Sequence, residues 1–146
     1  MGRSKGLRGV SHLVILDKQA VQALGDPGHT KHRRVVSHVQ IAASRKRRAE
    51  VVQVVVPTTV RVEAGWDRQS AAWAFASRLR IADVPLDQTH SNAAAAIRSE
   101  TEVGAAEAHL GAVVHSTSAM HVTVVTGDPG SMRLVAADRQ ITIVVM

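Results

Sequence analysis

The chain has 146 residues, 45% of them hydrophobic, which is enough for one domain with a substantial core. Its 18 Lys and Arg outnumber 12 Asp and Glu, and the resulting net charge of +6 should attract polyanions. There is no cysteine, so a disulfide framework, a thiolate zinc site and a cysteine nucleophile are excluded, and two Trp and one Phe are too few for a base-stacking platform.

In chain order, Arg3, Lys5 and Arg8 precede an apolar run too short for the core of a signal peptide. Residues 13–16 read as a short strand that ends in Asp17, and residues 18–24 then look helical. Beyond the turn Gly25-Asp26-Pro27-Gly28, the spacing of Val35, Val36, Val39, Ile41 and Ala42 predicts a helix. It is bracketed by Lys31-His32-Arg33-Arg34 and Arg45-Lys46-Arg47-Arg48, which serve either as a phosphate-gripping arm or as solvated helix ends. Residues 51–56 form a second apolar strand. After Pro57, Thr58 or Thr59 can cap a helix that places Val60 and Glu63 on one face. Trp66 and Trp73, seven positions apart, would share a helical face and suit core or dimer packing.

A third strand follows at residues 80–84, and the alanine run at 93–96 lies inside a helix. Another helix is expected from about residue 102 to 116. Residues 122–125 read as a strand, Thr126-Gly127 as a turn, Asp128-Pro129 as a helix start with proline first, and residues 141–145 as a last strand. About five strands alternating with helices predict an α/β fold. No segment is long enough to span a membrane, so a soluble cytoplasmic protein is expected.

Four carboxylates stand out against this frame. Asp17 and Asp128 follow strands, where ligands gather in open α/β sheets, and Glu63 lies about one turn into the helix after residues 51–56. On the helix expected at 102–116, Glu107 shares a face with Val103, Leu110 and Val114. An acid on an apolar face is costly unless something positive binds it, so the four suggest a pocket for a hard divalent cation with oxygen ligands. Each also has a plainer reading: Asp17 and Asp128 as helix caps, Glu63 as a solvated residue, and Glu107 as the partner of an arginine.

The eight histidines, among them His29, His32, His38, His109, His115 and His121, show no His-Glu-x-x-His spacing for zinc. His109, two positions after Glu107, should point away from it, at the surface or behind the ligands. No P-loop, no Gly-x-Gly-x-x-Gly turn and no Gly-x-Ser-x-Gly elbow is present, which removes the corresponding nucleotide-binding and hydrolase classes.

The order of an acid ending the first strand, Val56-Pro57 followed by a helical Glu63, Glu107 before Ala108-His109-Leu110, and Thr126-Gly127-Asp128-Pro129 closing a late strand resembles the PIN-domain ribonucleases. The likeness is to the VapC-type toxins of bacterial toxin-antitoxin pairs in particular, and it runs over nearly the whole chain. It implies a single PIN-like domain over residues 1–146, with residues 1–11 a basic N-terminal segment that need not be ordered. It implies an α/β/α sandwich around a mainly parallel sheet.

The resemblance further implies that Asp17, Glu63, Glu107 and Asp128 hold Mg²⁺ or Mn²⁺. Thr126 would orient a carboxylate or the attacking water in the hydrolysis of RNA. It implies a homodimer and a small antitoxin as inhibitor, whose Arg or Lys would compete with the metal for the acids. Three positions depart from the pattern: Lys18-Gln19 follow the first acid where small or hydroxylated residues are usual, Glu107 replaces the more common Asp, and Gly130-Ser131 supply no fifth acid. The alternative on the same fold is an RNA- or partner-binding protein with little or no catalysis.

Overall fold

The molecule is described by a computed structural model covering residues 9–44, 46–47 and 50–146. Its parallel sheet has the strand order β4-β3-β1-β5-β6, where β1 is His12–Leu16, β3 Glu50–Pro57, β4 Ile81–Val84, β5 His121–Thr126 and β6 Thr142–Val145. These are the five strands expected from the sequence. A sixth, β2 at Lys46–Arg47, pairs antiparallel with the start of β3, so part of the second basic run is a strand rather than a helix end. The remainder of that run, Arg45 and Arg48, and residues 1–8 of the basic N-terminal segment lie outside the described residues.

Among the described residues, seven α-helices connect the strands: α1 Lys18–Gly25, α2 His32–Ser44, α3 Thr58–Ala64, α4 Ala74–Arg78, α5 Gln88–Thr101, α6 Ala105–Ser116 and α7 Pro129–Ala136. Because parallel strands need helical crossovers, both faces of the sheet are covered, and the central strands read as nearly continuous apolar runs. The two-residue period of a strand then sorts side chains between the faces. Val14, Leu16, Val54, Val56 and Val125 pack with Val21 and Leu24 of α1, Val35 and Val39 of α2 and Val60 of α3. Leu13, Ile15, Val55, Val122 and Val124 pack with Leu110, Val113 and Val114 of α6 and Met132 and Val135 of α7. Helix α5 forms an outer layer, setting Ala94 against Ala108 and Ala112 of α6.

The helix expected from 102 to 116 is shorter than its sequence pattern. Helix α5 ends at Thr101, Glu102 takes a left-handed conformation with φ 61°, and α6 begins only after Gly104. Val103 therefore belongs to the connection and not to the face that carries Glu107.

The parallel register brings all strand carboxyl ends to one edge. There β1 lies between β3 and β5, so the chain's excursions to left and right part at the end of β1. Such a switch point leaves a crevice between the outgoing loops. No helix among the described residues is long and apolar enough to cross a membrane.

Candidate functional site

Asp17 stands at that switch point, and its backbone N–H donates to the Val125 carbonyl of β5 at 3.1 Å. It is the N-cap of α1: Oδ1 accepts the Ala20 N–H at 2.8 Å. Oδ2 accepts the hydroxyl hydrogen bond of Thr126, whose own oxygen accepts the Asp128 N–H at 2.7 Å. Thr126 thus ties the first acid to the last across adjacent strands. Asp17 is only 5% exposed, and no cationic side chain pairs with it among the described residues. Burial pushes its pKa up, opposed by the hydrogen bonds from Thr126 and Ala20.

Asp128 caps α7, with Pro129 at the first helical position as expected. Its Oδ1 accepts the Ser131 N–H at 3.2 Å, and Oδ2 accepts the Ser131 hydroxyl at 2.7 Å. Glu107 occupies the third position of α6, half-buried, and its carboxylate folds back toward the helix start: a Cβ added to Gly104 would lie 2.7 Å from Oε1. That return suits a negative charge at a helix N-terminus.

Asp17, Glu107 and Asp128 line one cleft with Lys18, Gln19, Val60, Ala106, Leu110 and Met132, about 410 Å³ counting the space open to solvent. Glu63 does not line it. One turn beyond Val60, it is exposed, and its Oε1 lies 3.8 Å from the Lys18 ammonium. The cap readings of Asp17 and Asp128 therefore hold together with their convergence on the cleft, since a strand end followed by a helix start produces both.

Among the described residues, no three His, Cys, Asp or Glu side chains stand close enough to coordinate one ion. Asp128 accepts from Ser131, the Glu107 carboxylate lies over Gly104, and Glu63 lies 3.8 Å from the Lys18 ammonium. The donor chemistry nonetheless suits a hard cation. Three carboxylates face one cleft, and Gln19, also in its lining, has a buried Oε1 that accepts no hydrogen bond.

Several other expectations need correction. His109 is not at the surface but wholly buried, because α5 covers the outer side of α6. Its Nδ1 meets the Thr59 hydroxyl at 2.7 Å, while its buried Nε2 has no hydrogen-bond partner. Burial, helped by neighbouring His90, pushes its pKa down to about 4. Thr59 is thereby engaged and Thr58 accepts the Leu86 N–H, so neither caps α3; Pro57 takes the N-cap position without a side-chain bond.

Trp66 and Trp73 do not share a helix either, since Trp66 follows α3 and Trp73 ends a 3-10 turn at Ala71–Trp73. Their rings stack with centroids 5.7 Å apart, and Trp66 is buried, so core packing is their observed part. Asp83 lies in β4, within the strand expected at residues 80–84, where Arg68 grips it through both oxygens and Arg61 Nε stands 2.9 Å from Oδ1. In the first basic run, Arg33 and Arg34 are exposed at the start of α2. Sequence reasoning did not place Gln19 or Met132 at the cleft; side chains that join a site only through folding leave no local signal.

No protein-family profile matches the chain, and no curated protein does. Solved structures do. FitAB bound to an IR36 DNA fragment matches at 19% identity and TM-score 0.51, over 90% of this chain and 94% of that one. VapBC2 from Rickettsia felis, bound to a DNA fragment from their promoter, matches at 12% identity and TM-score 0.57, over 92% and 98%. FitAcB from Neisseria gonorrhoeae matches at 19% identity and TM-score 0.50, over 89% and 95%. Over about nine-tenths of its length, this chain has the fold of a VapC-type PIN domain.

Proposed function

We propose that the chain is a metal-dependent endoribonuclease toxin that hydrolyses RNA phosphodiester bonds and is neutralised by a cognate antitoxin. The observation that carries this reading is the linked pair Asp17 and Asp128, joined through Thr126 at the sheet's switch point and facing the same cleft as Glu107. A nuclease needs negative charge to hold cations inside a surface that attracts a polyanion, and the chain combines this cleft with a net charge of +6. The fold likeness to complexes named VapBC2 and FitAB supports a small protein partner. Action in the cytoplasm as a homodimer completes the proposal.

In this reading Asp17, Glu107 and Asp128 would hold Mg²⁺ or Mn²⁺, with Glu63 joining them only by leaving Lys18. The bound ion supplies positive charge for the phosphate's developing negative charge and lowers the pKa of a water. Thr126 holds the Asp17 carboxylate in one rotamer, so one acid of the site is fixed before substrate arrives. Water adds to phosphorus, the bond to the leaving ribose oxygen breaks, and the proton lost by water is balanced by one gained at that oxygen. A basic side chain of the antitoxin would inhibit by taking the cation's place among the acids.

The test is incubation of purified protein with end-labelled transfer and ribosomal RNA in Mg²⁺, Mn²⁺ or EDTA, beside a folded Asp17→Asn/Asp128→Asn double variant. Discrete cleavage that requires the metal and drops at least ~100-fold in the variant is expected, the scale on which such groups act. RNA that stays intact while still being bound would replace this reading with a binding protein. The pairing of Glu63 with Lys18 outside the cleft is what favours that second reading.

A further inference from the structure

A phosphodiester entering the cleft meets three carboxylates, so it needs hydrogen-bond donors to hold it. Among the described residues that line the cleft, two side chains carry N–H groups, Lys18 and Gln19. The Lys18 ammonium stands 3.8 Å from Glu63 Oε1, an acid outside the cleft that shares its charge. The Gln19 amide has no such partner. Its Oε1 is buried without a hydrogen bond, whereas its Nε2 is open to solvent and, among the described residues, donates to nothing.

The amide is also seated. Gly127 lies between Asp128 and Thr126, whose hydroxyl bonds Asp17, and the Gln19 side chain packs on it. A Cβ added to Gly127 would stand 2.7 Å from Gln19 Oε1, 3.1 Å from its Cδ and 3.2 Å from its Cβ. Glycine thus lets the amide settle beside the two linked acids. A neutral amide donates without neutralising a carboxylate, so it can orient a phosphate oxygen and leave the acids their charge.

We propose that Gln19 orients the substrate: its Nε2 donates to a non-bridging oxygen of the RNA phosphodiester, with Gly127 as the seat that aims it. The proposal rests on the reading above that this cleft takes an RNA phosphodiester, and not on how the acids hold a cation. Shape and donation separate in two variants. Gln19→Glu keeps the shape but replaces the donor with an acceptor, so packing alone predicts wild-type behaviour and donation predicts a loss at least as large as in Gln19→Met. Gly127→Ala keeps the donor but displaces it.

The experiment measures binding of labelled transfer RNA in EDTA by fluorescence anisotropy, and kcat/KM for its cleavage in Mn²⁺. It compares the full chain as wild type, Gln19→Met, Gln19→Glu, Gly127→Ala and the double variant Gln19→Met/Gly127→Ala. Circular dichroism confirms that each is folded. Both Gln19 variants are expected to bind more weakly and to lose kcat/KM roughly tenfold or more, the scale of one hydrogen bond to a charged group. Gly127→Ala should lose in the same direction. The double variant should lose no more than Gln19→Met, because both changes act on one contact.

Unchanged binding and cleavage in Gln19→Met and Gln19→Glu, or a loss confined to Gln19→Met, would overturn the role of Gln19 and leave the nuclease reading standing. RNA that wild type binds but does not cleave would overturn the nuclease reading, while weaker binding by both Gln19 variants would still support the contact. RNA that wild type neither binds nor cleaves would overturn both.

Discussion

Asp17 answers to two demands at once. As a cap it satisfies the Ala20 N–H, and as a lining residue it carries a charge into an environment that disfavours charge. Asparagine keeps the cap acceptor and discards the charge, and its amide NH₂ can donate to the Thr126 oxygen in place of the bond that Oδ2 accepts. In metal-free protein near neutral pH, Asp17→Asn should therefore raise the melting temperature by ~2–5 °C, the equivalent of ~1 kcal/mol in a chain of this size. Added Mn²⁺ should raise the melting temperature of wild type but not of the variant, because only wild type keeps the anionic ligand. Scanning calorimetry with and without the ion checks both; a variant less stable than metal-free wild type would mean that the carboxylate is more valuable as a hydrogen-bond acceptor than it is costly as a charge.

Helix α6 is the element on which the outer layer and the cleft both depend. It carries Glu107 in its first turn, buries His109 and Leu110 next, and meets α7 and α5 at Gly111. A Cβ on Gly111 would stand 2.8 Å from Val135 Cβ and 2.9 Å from Ile97 Cδ1, closer than carbon atoms tolerate. Gly111→Ala should cost ~1–3 kcal/mol by overpacking, even though alanine is the better helix former. Urea denaturation measures this, and an unchanged midpoint would show that α5 and α7 yield without cost.

The far end of α6 is held by Arg139, whose guanidinium donates to the carbonyls of Val114, Thr117 and Ala119 at 3.0, 3.1 and 2.8 Å. At the start of α5, Asp87 accepts the His90 N–H and meets its Nδ1, while His90 Nε2 reaches Ser116 Oγ at 3.1 Å. These contacts clamp the outer layer, and none of the residues involved lines the cleft.

At the scale of the molecule, the buried titratable groups set how stability depends on pH. Folding lowers the pKa of His109 from 6.5 to about 4, so between those values the unfolded chain binds more protons at this site. Its contribution is complete above pH 6.5 and is lost as pH falls toward 4, up to ~3 kcal/mol in all. His38, lowered by burial, adds in the same direction. Asp17 acts oppositely: its raised pKa makes its contribution largest below 3.8 and erodes it as pH rises through the folded value. Urea midpoints measured from pH 4 to 8 should fall on acidification below about 6.5, and His109→Gln should flatten that slope. An equal slope in the variant would place the proton uptake elsewhere.

The sequence by itself determined what depends on near neighbours. Strand period, apolar runs and proline positions marked five strands and the starts of α1 and α7, because a strand end followed by a capping acid is written in adjacent residues. The order of the acids was enough to suggest the fold. Only the tertiary structure decided which acids meet: Thr126 and Asp17 are 109 positions apart, and Thr59 and His109 are 50 apart. The same holds for Glu63, which helical spacing set on the face of Val60 but which lies exposed outside the cleft, 3.8 Å from the Lys18 ammonium. It holds for His109 as well, whose burial follows from the layer that α5 lays over α6. Local pattern fixes where a side chain begins, whereas burial, ion pairing and shared clefts depend on which distant surfaces the packed helices bring against it.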